Sequence, residues 1–209
     1  MNQLCKLELD DLSIASEWLS ELFGTPASVE YITQTITPQA QETLHWVAEQ
    51  LDANTKMQAL TAILRQDDPE TLAVHLQRRY TVLFEGIFQH RAVLPYESAW
   101  CSSDTTIPEM HAILRALDLR INQSCCEPPD HLAIELAALT LALRDEQFPV
   151  AADLVERLHS WVPHFTTALH QQDKDGFYAA AADILMALLG KARIALAAHT
   201  PKQYQGEFA

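Results

Sequence analysis

Apolar residues recur at three- and four-residue steps along most of the chain, the spacing of a helix with one buried face. Leu12, Ile14, Ala15, Trp18, Leu19, Leu22 and Phe23 form the first such stripe, which Gly24 and Pro26 stop. A short segment follows at about 28–33. Pro38 opens a third, with Leu44, Val47, Ala48 and Leu51 on one face, and Met57, Leu60, Ile63 and Leu64 carry the pattern past Asn54. Asp68 before Pro69 reads as a cap followed by a first helical residue. That helix is predicted to run to about Glu85, with Leu72, Leu76, Tyr80, Leu83 and Phe84 inward. The period returns from Pro108 to about Asn122. From Asp130 to Arg144 the chain is apolar nearly all round, interrupted only by Glu135 and Thr140, which belongs in the middle of a bundle. Helices at about 149–171, with Pro163 as a candidate kink, and at about 175–198 complete the pattern. The expected fold is all-α: one helical-bundle-like domain of nine or ten helices in two lobes. The N-terminal lobe is placed at about 1–122, a hinge at about 123–129 and the C-terminal lobe at about 130–200.

Two breaks in the period draw attention. Gly86 to Asp104 is rich in aromatic residues and long for a connection inside one domain, which is a property of functional loops. Its centre, Leu94-Pro95-Tyr96-Glu97-Ser98-Ala99-Trp100, offers rings that combine apolar area with a hydrogen-bonding tip, as peptide-binding surfaces do. An ordinary loop pinned to the core by its aromatics would look the same. The second break ends in Glu127-Pro128-Pro129-Asp130-His131. Two prolines disfavour helix before them and suit a first turn after them. Asp130 there complements the helix dipole, and His131 resists protonation beside exposed N–H groups. This is first a helix start. In its functional reading, Glu127 and Asp130 present carboxylates beside a cleft, ready for arginines.

Composition narrows the classes. The 209 residues suffice for one good core, and only 5 glycines favour helices over glycine-hungry sheets and phosphate loops. A net charge of −14 repels nucleic acid and anionic membranes and attracts a basic peptide. The four cysteines form no C-x-x-C pair, and adjacent Cys125 and Cys126 do not suit a disulfide with each other; free thiols fit a reducing compartment. The N-terminus does not read as a signal peptide and no apolar run approaches a membrane span, so a soluble, cytoplasmic protein is expected. His159 and His164, five residues apart, point about 140° apart on a helix, and no metal site is expected. Gly190-Lys191 lacks the rest of a phosphate loop, because Leu185 stands where the first glycine belongs and Ala192 follows the lysine. No triad or carboxylate dyad emerges, and the chain is not expected to be an enzyme.

At Glu127-Pro128-Pro129-Asp130-His131-Leu132-Ala133-Ile134 the sequence resembles the TorD family of molybdoenzyme chaperones, whose hallmark is E-P-x-D-H before an apolar helix. Further segments agree in order: Ala15 to Phe23, Tyr80 to Phe84, Leu94 to Trp100, Trp161 to Phe165, and Gly176 to Ala180. The resemblance covers about residues 10–190 and is closest to TorD itself. It implies an all-helical cytoplasmic chaperone that binds an apo-molybdopterin oxidoreductase, for TorD trimethylamine N-oxide reductase. It implies recognition of the client's twin-arginine leader, with export held back until the cofactor is inserted. It also implies dimers formed by lobe exchange and weak GTP binding in some members; no other cofactor is expected. The binding residues it maps are Tyr80, Leu83, Phe84, Pro95, Tyr96, Ser98, Trp100, Glu127, Pro128, Asp130 and His131. Residues 27–70 carry no family motif. The rival readings are an adaptor that binds a folded partner and a helical protein that binds or hydrolyses nucleotide.

Overall fold

Side-chain caps set four of the nine helix starts among the described residues. The computed structural model describes residues 3–86, 92–119, 127–174 and 176–199, with side chains from residue 9 onward. Nine α-helices lie among these residues: α1 (Gln3–Gly24), α2 (Val29–Thr35), α3 (Pro38–Gln50), α4 (Asn54–Ile63), α5 (Pro69–Tyr80), α6 (Thr106–Ala116), α7 (Leu132–Arg144), α8 (Phe148–Gln172) and α9 (Phe177–Ala197). Ser28, Thr37 and Asp68 cap α2, α3 and α5 by accepting a backbone N–H three residues on, and Pro38 and Pro69 occupy the first turns.

α1 lies antiparallel along the central α7. Ser16 and Ser20 of α1 donate to the Leu136 and Ala133 carbonyls of α7, each at 2.8 Å. A Cβ placed on Gly24 would stand 3.2 Å from that of Ala133, so the end of α1 runs close against α7. α8 and α9 form a hairpin beside them. Asp173 closes the hairpin: its Oδ2 accepts from Tyr178 N and Ala179 N at 3.0 and 3.1 Å, and its Oδ1 is held by Arg79 Nε at 2.6 Å. At the centre, Phe84 stacks on Phe165 at 6.2 Å, and Phe23 and Tyr178 meet these rings edge-on. One continuous core draws on elements from both sides of the expected hinge. The hinge residues 123–126 lie outside the described residues, and 127–129 lead directly into α7.

Four boundaries differ from expectation. α1 begins at Gln3 rather than near Leu12. α5 ends at Tyr80, and residues 81–85 form one π-helical turn that stops at Gly86, in the left-handed region at φ 74°. α6 ends at Ala116 because Asp118 turns left-handed at φ 53°; residues 120–122 of the expected helix lie outside the described residues. α7 starts at Leu132, so the Pro-Pro pair precedes the helix instead of forming its first turn. α8 passes through Pro163 as a single helix.

Candidate functional site

The two breaks in the sequence pattern pair with each other. Residues 92–101 cross the start of α7 as a strap. Val93 N donates to the Leu83 carbonyl at 2.7 Å, which ties the strap to the π turn. Leu132 N donates to the Pro95 carbonyl at 2.8 Å and Glu97 N to the Asp130 carbonyl at 3.0 Å. These bonds make one antiparallel bridge between Tyr96 and His131. Side chains repeat the pairing. Asp130 Oδ2 accepts from Ser98 N at 3.0 Å, Tyr96 donates from its hydroxyl to Glu127 Oε2 at 2.6 Å, and the Tyr96 and His131 rings meet edge-on at 5.1 Å. Trp100 Nε1 folds back onto the Leu94 carbonyl at 2.8 Å.

Burial sorts the eleven residues mapped by the resemblance into three groups. Tyr80, Leu83 and Phe84 sit in the core, where the Tyr80 hydroxyl donates to the Phe23 carbonyl at 3.1 Å. Pro95, Asp130 and His131 are buried beneath the strap. Tyr96, Ser98, Trp100, Glu127 and Pro128 reach the surface beside exposed Leu94. The expectation that Asp130 presents its carboxylate to a cleft is therefore corrected: Asp130 is fully buried, and its one partnered oxygen holds the strap. His131, not Asp130, caps α7, its Nδ1 accepting from Ala133 N at 3.1 Å. That bond needs an unprotonated Nδ1. The histidine does resist protonation, but burial is the main cause, against the opposing pull of Glu127 and Asp130.

Beneath the strap lies a polar knot that the sequence reading missed. Arg157 of α8 forms ion pairs with Glu97 of the strap and, at 2.7 Å, with Glu109 of α6; it also donates to the Thr106 carbonyl at 3.2 Å. Glu135 of α7 is wholly buried and accepts from Trp161 Nε1 at 3.3 Å. Glu97 acts on Glu135 through its charge, and the second Glu135 oxygen, Oε1, is buried without a hydrogen-bond partner. Burial, then the neighbouring Glu97 charge, pushes Glu135 well above the usual carboxylate range. Burial raises Glu97 too, although Arg157 opposes it. The clue was available. Glu135 is the one charge before the terminal Arg144 in an otherwise apolar helix, and such a buried charge requires a partner.

Burial, followed by the bond to Glu127, raises the Tyr96 hydroxyl far above a free phenol, so it remains a donor at any ordinary pH. No group of three His, Cys, Asp or Glu among the described residues is placed to hold a metal. Gly190 and Lys191 lie inside α9, with Lys191 paired to Asp52 at 2.5 Å, so they form no phosphate loop. Among the described residues no helix is long and apolar enough to cross a membrane.

The site is thus an all-helical scaffold carrying a half-exposed aromatic strap next to the exposed Glu127 carboxylate. The nitrate reductase delta subunit family model matches residues 48–167, and the chain belongs to that family. It is 29% identical over 188 residues to chaperone protein TorD of Vibrio atlanticus, across 81% of this chain and 87% of the relative. It is 26% identical over 209 residues to chaperone protein TorD of Escherichia coli O157:H7, across 88% of this chain and 95% of the relative. The protein of the same name from Vibrio cholerae serotype O1 is 28% identical over 189 residues. The resemblance read from Glu127 to His131 is borne out, and the relatives' role is that of a chaperone, not an enzyme.

Proposed function

We propose that this chain is a cytoplasmic chaperone for a molybdoenzyme, the client implied by the TorD resemblance being trimethylamine N-oxide reductase. The strap face receives the client's twin-arginine leader. Leu94, Tyr96 and Trp100 offer apolar contact, and Glu127 offers a solvent-facing carboxylate for an arginine. The observation that carries this reading is the 2.6 Å bond from the Tyr96 hydroxyl to Glu127, which joins two segments 31 residues apart into one exposed surface. Isothermal titration of the full chain with a twin-arginine leader peptide tests it. Trp100→Ala combined with Glu127→Gln is expected to weaken binding at least about tenfold, equivalent to about 1.4 kcal/mol. Unchanged affinity in that double variant would remove the leader from this face. Equal binding of a leaderless client by wild type and variant would favour the adaptor reading.

A further inference from the structure

The charge of this chain is concentrated at one end. Residues 7–55 contain nine Asp and Glu and no Lys or Arg, so this stretch carries nine of the net fourteen negative charges. It builds most of α1, all of α2 and all of α3. Two cavities with apolar walls lie along these helices, the second closed also by Phe177 of α9. A groove of about 250 Å³ between α1 and α3 is lined by Ile14, Trp18, Leu44 and Val47. A larger cavity of about 520 Å³ lies at the end of α1, walled by Leu22, Pro26, Tyr31 and Phe177, with Glu21 at its side. Trp18 Nε1 donates to the Tyr31 hydroxyl at 3.0 Å, so a wall of the first cavity is joined to a wall of the second. Ile14, Val29 and Trp46 stay exposed on these helices at 36, 38 and 37%. Glu21 has no ion-pair partner among the described residues.

Apolar cavities in a stretch dominated by one charge sign favour a ligand of opposite sign with its own apolar face; Glu21 is the charged residue that lines them, and the one base that reaches α3 here is Arg65, which donates to Gln41 Oε1 at 2.7 Å. A second copy of this chain would set one acidic stretch against another, even with Glu17 and Asp52 already paired to Arg144 and Lys191, and an anionic lipid surface would be repelled for the same reason. Ile14 and Trp18, one turn apart on α1, face Leu44 and Val47 on α3 across a groove between two helices, and a third helix seats its ridge in such a groove. We infer that the α1–α2–α3 face docks a basic amphipathic helical segment of a partner protein, with apolar side chains in the two cavities and Lys or Arg beside Glu21 and the other exposed carboxylates of these helices. This face shares no residue with the strap, so the inference goes beyond the leader-binding reading.

The probe is a labelled Leu–Lys peptide of helical periodicity, titrated into the full chain and followed by anisotropy. Saturable binding is expected, with no binding of the Leu–Glu analogue. Raising salt from about 0.05 M to about 0.5 M weakens it at least about tenfold, because exposed charges are screened. Ile14→Lys and Glu21→Lys each weaken it several-fold, whereas Asp153→Lys on the exposed side of α8, which changes the charge as much as Glu21→Lys does, has a smaller effect. Circular dichroism confirms that each variant remains helical. The inference is overturned by absence of saturable binding, by equal binding of the Leu–Glu peptide, or by equal effects of Glu21→Lys and Asp153→Lys. It is also overturned if Ile14→Lys breaks a dimer in sedimentation without affecting the peptide, which would give the face to a second copy. The probe contains no leader sequence, so its failure leaves the strap reading intact, and failure at the strap leaves this one.

Discussion

Two regions of this molecule use the same residue types in opposite ways. Under the strap, Glu97, Asp130 and Glu135 are buried, and Arg157 pairs with Glu97 and acts on Glu135. On the α1–α2–α3 face, Glu21, Glu30 and Glu42 stand in solvent with no lysine or arginine anywhere in residues 7–55. The first arrangement fixes a loop. Each buried carboxylate makes at least one bond that joins two elements: Glu97 to α8, Asp130 to the strap, Glu135 to Trp161. In the second arrangement these three carboxylates stand in solvent, although Glu17 and Asp52 of the same stretch pair with Arg144 and Lys191. Burial makes the difference, because a charge removed from water must find a partner inside the protein while an exposed one need not.

The largest effect that separates the regions is expected at Arg157. Arg157→Met leaves Glu97 and Glu135 buried without their cation, and loss of one partner of a buried pair costs about 3–5 kcal/mol. Denaturant unfolding should show that loss. Hydrogen exchange should show the Glu97 and Ser98 amides opening first, since these bonds hold the strap to Asp130. A loss below about 1 kcal/mol would mean that the knot is not what holds the strap.

Glu135→Gln comes next, and its sign follows from the raised carboxyl. A group whose folded-state pKa lies above its unfolded value binds more protons when folded, so stability falls as pH rises above the usual carboxylate range. The slope for one such group is at most about 1.4 kcal/mol per pH unit. Glutamine is neutral at every pH and can still accept from Trp161 Nε1. Unfolding measured from pH 5 to pH 9 should therefore give a flatter stability profile for Glu135→Gln than for wild type. Identical slopes would place the proton elsewhere.

These two regions were not equally legible in the sequence. Helices with a polar cap and an apolar stripe could be placed from local pattern alone, as at Thr37-Pro38 and Asp68-Pro69. Boundaries failed where the backbone departs from its local pattern. Asp118 turns left-handed inside a stretch expected to be helical to about Asn122, and α1 runs back to Gln3 although its apolar stripe opens only at Leu12. The pairing of the strap with Glu127 to His131 was foreshadowed only as two separate breaks, because a bridge across 35 residues has no local signature. The knot needs Arg157, which is 60 residues from Glu97, and only the lone Glu135 hinted at it. The acidic face was open to view in the sequence as a run of 49 residues without a base, but the cavities that give it meaning exist only once α1 and α3 pack together.

The smallest effect sharpens the comparison most. Glu21→Gln removes a charge of the same kind as Glu135, yet Glu21 is exposed and makes no ion pair among the described residues. Its effect on unfolding is expected to stay within about ±0.5 kcal/mol, the range of an ordinary surface substitution. Like-charge crowding on this face predicts the direction. Removing one of nine negative charges should stabilise slightly, and the gain should fade as salt screens the rest. A clear loss of stability would show that Glu21 holds the turn at 24–28 in place, and the face would then belong with the knot, as part of what builds the fold. A small, salt-sensitive gain is what a surface kept charged for a partner should give.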